Sequence, residues 1–358
     1  MTKERLHYFD MLKGIAIFMV VMGHVITFCI REIDRAAIFK FIGEIHMPLF
    51  FFISGWFSWN AVRSPNLTRR ALQLLVPMAV CSTLWIWYFP HSGLESPLDS
   101  TFCGLWTSDW KNGYWFTLVL FEITAVYAAL HPVLLRCRTF ASEALVWAIA
   151  FAAVFLLDNV TAGTLFNAVA SIPLVSAFFC VFAFGASAAR HRESFLRLVR
   201  NEAVFTAAIL VGALTLYMKC WYWEFPFMDL RLAHIAVGVT LHVCLAIVGV
   251  GVVRPWGLKA YEADKPGLFA AMWSYVGSKS LSIYLLHYFF LFPLGCLREP
   301  LVSMNVAFVP VLCVSIAVAV AITCVVLCVE RLLRPSAVLS WLLCGTLPPF
   351  ISEKFKRK

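Results

Sequence analysis

The sequence predicts an all-α polytopic membrane protein, a bundle of about ten transmembrane helices, and three observations carry that prediction. Of 358 residues, 61% are hydrophobic and only 14% charged, whereas roughly a quarter of the residues in soluble domains are charged. Mean hydropathy is +0.83. Apolar segments recur at 10–30, 40–60, 71–89, 113–135, 142–157, 164–189, 203–219, 232–253, 270–297 and 306–332, most of them close to the ~20 residues a spanning helix needs. The lysines and arginines collect in alternate loops between these segments, as they do in a chain that crosses a bilayer repeatedly.

Each segment has its own justification. The first follows Lys3 and Arg5, has no small-residue cleavage site after it and runs through Cys29-Ile30-Arg31-Glu32 into the next span, so it reads as an uncleaved anchor. The second contains Pro48, which removes a backbone donor and should kink the helix beside Glu44 and His46. The third begins behind Arg63, Arg69 and Arg70, and the fourth carries Glu122. The fifth is short. The sixth to eighth are apolar apart from His234 and His242, whose simplest use is a satisfied interhelical hydrogen bond. Gly277-Ser278-Lys279-Ser280 breaks the ninth, which also holds Tyr284 and His287, and the tenth is uninterrupted.

With the N-terminus inside, most of the 29 lysines and arginines fall on the cytoplasmic side and Lys13 and Lys279 lie within helices, which predicts that both termini are cytoplasmic. The same short basic flanks account for the net charge of +9 without any nucleic-acid partner. The twelve cysteines form no Cys-x-x-Cys pair and read as small buried hydrophobes; Cys103 and Cys220 alone lie in or near outer loops, where a disulfide is an open question. The outer segment 90–112 is turn-rich, and the outer loop 220–231 is dense in aromatics, either an interfacial belt or a stacking surface for a sugar. No repeat or long loop divides the chain, so residues 1–358 read as one integral membrane domain.

Asp10, Lys13 and His24 sit inside or beside the first apolar run, where ionisable groups are costly and mark function. Eleven residues separate Lys13 from His24, about 16.5 Å and close to three helical turns, so both lie on one face. Asp10 precedes Lys13 by one turn on that face. Counting from the outer ends of their helices places His24 and His46 at one level, roughly 9 Å deep. Glu122 and His287 lie deeper, near mid-span.

In order along the chain, Asp10-Met-Leu-Lys-Gly-Ile-Ala with Gly23-His24, His46-Met-Pro-Leu-Phe-Phe-Phe-Ile-Ser54-Gly, Tyr114-Trp-Phe and Ser280-Leu-Ser-Ile-Tyr284-Leu-Leu-His287 resemble the membrane acyltransferase 3 family, most closely its fucose 4-O-acetylase-like branch. In that family an arginine precedes the essential histidine; Lys13 stands at its place, keeping the charge and losing bidentate geometry. Many members carry an Arg-x-x-Arg pair at the third span, and here Arg69-Arg70-Ala-Leu-Gln73 lacks the second arginine.

The resemblance implies an O-acyltransferase, with acetyl-CoA as cytoplasmic donor and no metal. Lys13, Arg63, Arg69 and Arg70 would meet the donor phosphates, His24 would serve as general base or as a transient acyl carrier, and Glu122 or His46 would orient it or share its proton. Asp10, Ser54, Tyr284 and His287 would support the site. The acceptor would be a sugar hydroxyl of an extracytoplasmic or lipid-linked glycan, and the location the bacterial inner membrane. A proton-coupled transporter or glycan flippase could also use His24 and Glu122. It has no need of a cation at the cytoplasmic end of the stripe, which a CoA enzyme requires.

Overall fold

A computed structural model describes residues 6–30, 37–94, 101–221, 225, 227, 230–262, 267–294, 296 and 308–355. The helices are α1 (His7–His24), α2 (Ala37–Ser58), α3 (Leu67–Tyr88), α4 (Phe102–Thr107), α5 (Trp115–Arg136), α6 (Phe140–Thr161), α7 (Leu165–Val169), α8 (Ile172–Arg190), α9 (Arg192–Arg200), α10 (Glu202–Cys220), α11 (Arg231–Glu262), α12 (Leu268–Ser278), α13 (Ser280–Leu286), α14 (Phe308–Leu333) and α15 (Ala337–Cys344). Among the described residues nine helices are long and apolar enough to cross a membrane. The predicted ninth span is instead the pair α12 and α13, parted at Lys279 where the sequence placed its break. The aromatic loop 220–231 lies largely outside the described residues, as do Lys3, Arg5, Lys265, Lys356, Arg357 and Lys358.

Three spans differ from their predicted limits for physical reasons. The fifth is not short: α6 continues past Leu157 because the side chains of Arg231 and Asn167 pair with Asp158 and remove the cost of its charge. The sixth is divided, since Ser171 adopts a left-handed φ of 46° and Pro173 sits in the first turn of α8, a position that needs no N–H. The eighth runs on through Pro255 to Glu262. Asn66, Thr139 and Asn201 cap α3, α6 and α10, accepting hydrogen bonds from backbone N–H groups of the first turn.

The core is built around α1, whose apolar window is 67% buried and which packs against α2, α11, α12 and α14. With lipid on the outside, close backbone approach replaces the hydrophobic effect as the force between helices. A Cβ on Gly14 would lie 2.2 Å from the Trp273 carbonyl oxygen, and one on Gly277 would lie 1.7 Å from that of Asp10. Any side chain at either glycine would therefore push α12 off α1. Glu330 in α14 is buried and takes Lys279 Nζ at 2.8 Å and Arg334 Nη2 at 2.9 Å, which neutralises the lysine at the helix break. All twelve cysteines are unpaired, so Cys103 and Cys220 form no disulfide.

Candidate active site

His24 is the last residue of α1, and the next turn, Val25–Ile30, is π-helical. Such wide turns carry an extra residue and cluster at functional positions. Opposite it, α13 ends at Leu286 and the chain tightens into a 3₁₀ turn, His287–Phe290. That tightening sets two consecutive side chains against the imidazole of His24. The Tyr288 hydroxyl lies 3.0 Å from Nε2 and 3.4 Å from Nδ1. His287 places its ring centroid 5.0 Å from that of His24 and 4.3 Å from that of Tyr288.

A third segment closes the site. Lys111, Asn112 and Gly113 all have positive φ, at 46°, 52° and 90°. Glycine is required at the last of them, because a Cβ there would lie 1.7 Å from the Tyr288 hydroxyl oxygen. Tyr284 locks the segment to α13: its hydroxyl donates to the Gly113 carbonyl at 2.8 Å and accepts from the Phe116 N–H at 3.2 Å. Tyr114 returns a hydrogen bond to the Leu285 carbonyl at 3.1 Å. Lys111 is fully buried and donates to the carbonyls of Ser108 at 2.8 Å and Ala168 at 2.6 Å. Burial pulls its ammonium below the usual lysine range, with Asp109 and then Glu122 opposing.

Of the predicted catalytic group, the structure joins His24 to His287 more closely than to His46. His46 lies within electrostatic range of His24, but its Nδ1 pairs with the Ile42 carbonyl on its own helix and no ring contact joins the two histidines. The expected kink at Pro48 does not interrupt α2, which is continuous through it. Glu122 makes no hydrogen bond to His24; its Oε2 is buried without a partner, and its charge partner is Lys111. His287 Nε2 and both side-chain polar atoms of Asn112 are likewise buried and unpaired among the described residues. Unpaired buried polar atoms cost on the order of 1–3 kcal/mol each; others among the described residues, such as Tyr127 Oη and His242 Nδ1, lie elsewhere in the bundle.

The match to a family described as an acyltransferase domain runs over residues 6–324, and so includes every residue of this site. The chain belongs to the acyltransferase 3 family. Two relatives are nodulation protein NolL of Mesorhizobium japonicum, 33% identical over 166 residues, and nodulation protein NolL of Sinorhizobium fredii, 34% identical over 137 residues. These alignments cover 43% and 34% of this chain and 41% and 36% of the relatives, so the chain spans less than half the length of either. No solved structure matches the chain.

In this acyltransferase 3 member, the residues predicted to face an acyl donor fall into two places. Lys13 pairs with Asp10 at 3.4 Å and lies 4.7 Å above the ring of Phe57, held on the face of α1 that leads to His24. Arg69 lines a polar pocket of about 270 Å³ together with Gln73, Ser278, Lys279, Ser282 and Thr346. Gln73 shares that pocket with Lys279, whose ammonium is paired with Glu330, so Arg69 is the lining cation without an acidic partner among the described residues. Arg70 is half-buried beside Arg69, and Arg63 is exposed in the preceding loop, where its backbone N–H donates to Asn60 Oδ1 at 3.0 Å. Ser54 accepts the Ser58 hydroxyl at its backbone carbonyl.

Tyr288, Gly113 and the π turn are absent from the sequence reading. The signals were present: a hydroxyl beside His287 in an apolar run, and the Asn112-Gly113 dipeptide that favours left-handed backbone.

Proposed function

We propose that this protein is a membrane O-acetyltransferase that moves an acetyl group from cytoplasmic acetyl-CoA to a sugar hydroxyl on the opposite face of a bacterial inner membrane. The observation that carries the reading is the His24 site, an imidazole fixed by the Tyr288 hydroxyl at 3.0 Å and set against the tilted ring of His287 at 5.0 Å. It lies about 16.5 Å along α1 from Lys13.

Each part of the site has a use in that chemistry. Arg69 in its polar pocket and Lys13 on α1 present cations for the phosphates of a CoA nucleotide. The pantetheine arm then extends along α1 and brings the thioester to His24. Tyr288 holds one ring nitrogen, and the other takes the proton of the sugar hydroxyl as its oxygen attacks the thioester carbonyl. The carbon–sulfur bond breaks, the acetyl group stays on the sugar oxygen, and the thiolate of CoA receives the proton back from the imidazolium. Asn112 and Glu122, with unpaired polar atoms on the acceptor side, are the groups to position the sugar. The fucose-like acceptor is the reading that the branch resemblance favours.

The test is transfer by purified protein in nanodiscs, with isotopically labelled acetyl-CoA and methyl fucoside, read by mass spectrometry of the glycoside. An acetylated glycoside, absent with His24→Ala, is the expected result. If the host's surface glycans keep the same acyl masses with and without this protein and no glycoside is acetylated, the proposal fails.

A further inference from the structure

A concavity apart from the His24 site shares none of its lining residues. It is a groove of about 650 Å³ between α6, α8 and α9, walled by Trp147, Phe151, Phe179 and Phe184, where the small side chains of Ala148 and Ala183 leave the space. We propose that this groove binds one acyl chain of an anionic glycerophospholipid, with the phosphate at the end formed by His191, Ser194 and Arg197.

Depth supports a single lipid leaflet. Along α6 the groove runs from Phe140 to Phe151, eleven residues or about 16.5 Å, comparable with half of the ~30 Å hydrocarbon core. The span that forms its outer wall, α6, has only 17% of its apolar window buried, so the groove opens towards lipid.

Charge supports an anionic headgroup. At the polar end, α9 buries Phe195 and Val199 and exposes Arg192, Arg197 and Arg200, the pattern of a helix lying in the membrane interface. The Arg197 guanidinium donates to Ser194 Oγ at 3.2 Å, and Ser194 lines the groove, so a free cation stands at its rim. The single acid in the wall, Glu143, is buried and already neutralised. It accepts the Ser187 hydroxyl at 2.6 Å, pairs with His191 Nε2 at 2.9 Å and with Arg190 at 3.3 Å. The rim is therefore left positive around a wall with no unmet charge, which suits a phosphodiester above a hydrocarbon chain. A neutral lipid would bring Arg192 and Arg197 no counter-charge beyond the one exposed acid of α9, Glu193.

The experiment uses the full chain in phosphatidylcholine nanodiscs doped with a phosphatidylglycerol that carries a photoreactive diazirine in one acyl chain, followed by peptide mass spectrometry. Adducts should concentrate on residues 140–155 and 179–198, and unlabelled phosphatidylglycerol should compete where phosphatidylcholine with the same chains does not. Ala148→Trp, which fills the groove, should remove those adducts. Arg197→Glu lies on the surface, leaves the core untouched and should lower them about fivefold. Labelling no denser here than at the exposed Leu210 and Leu214 of α10 would overturn the proposal, as would equal competition by phosphatidylcholine or by inorganic phosphate alone.

Discussion

Gly113→Ala is the sharpest test of the site, because the structure gives the size of the insult directly. The added Cβ would stand 1.7 Å from the Tyr288 hydroxyl oxygen and 2.4 Å from its Cζ, where real Cβ contacts essentially never fall below 3.0 Å. The hydroxyl must therefore retreat by about 1.3 Å, a displacement of the scale at which misplacement of a catalytic group costs on the order of 100-fold in rate. Its bond to His24 Nε2 is 3.0 Å long, and a shift of that size takes it beyond hydrogen-bond range. The left-handed φ of 90° adds a backbone cost of about 1–2 kcal/mol once a Cβ is present. We expect acetyl transfer, followed as release of the CoA thiol in nanodiscs, to fall about 100-fold in kcat, while the unfolding midpoint drops by only a few degrees. Tyr288→Phe in the same background should not restore the rate, since Cζ still clashes. Near-normal turnover by a well-folded Gly113→Ala protein would show that the contact between this segment and Tyr288 is irrelevant to catalysis.

Tyr288→Phe alone removes one hydrogen bond to His24 and should lower kcat/KM by roughly 5- to 100-fold, with the acetyl-CoA KM unchanged; an unaltered rate would leave His24 without need of its partner. His24→Ala should abolish transfer and still insert in the membrane at normal yield, as judged by extraction and gel filtration. Lys13→Ala should raise the acetyl-CoA KM far more than the acceptor KM and Lys13→Arg should keep most activity, whereas equal loss in both would mark Lys13 as a packing partner of Asp10. Gln73→Arg, which adds a cation beside Arg69, should lower the acetyl-CoA KM in a titration of initial rates, and a rise would exclude the pocket as the phosphate end of the donor path.

The spans were legible because lipid permits few alternatives: a backbone that cannot bond to water must form helices of the right length, and hydropathy reports that length. The break at Lys279 was legible for the same reason, since Gly277-Ser278-Lys279-Ser280 is both polar and helix-weakening. Limits failed where a polar residue finds a tertiary partner, as Asp158 does in Arg231. Hydropathy treats the residue alone and stops the helix too soon.

The site was only half legible, and the reason is geometric. Counting residues from helix ends pairs His24 with His46 and places His287 deeper, yet His287 is the one whose ring meets His24, because the ninth segment is broken and ends in a 3₁₀ turn. Whether two side chains at one depth meet depends on rotation about each helix axis, which a residue count does not contain. The rotation that matters was set elsewhere, by the glycine contact that seats α12 on α1 and by the 3₁₀ turn that follows α13. Those two features turn His287 and Tyr288 towards His24, while His46 spends its Nδ1 on the carbonyl of Ile42. Glu122 likewise makes no hydrogen bond to the imidazole, and the cation that acts on it is Lys111, whose ammonium is itself held by backbone carbonyls. The site is thus specified in two layers, with residue type and spacing along α1 singling out His24, and backbone exceptions at Gly113, Lys279 and the π turn after His24 accompanying the groups that meet it.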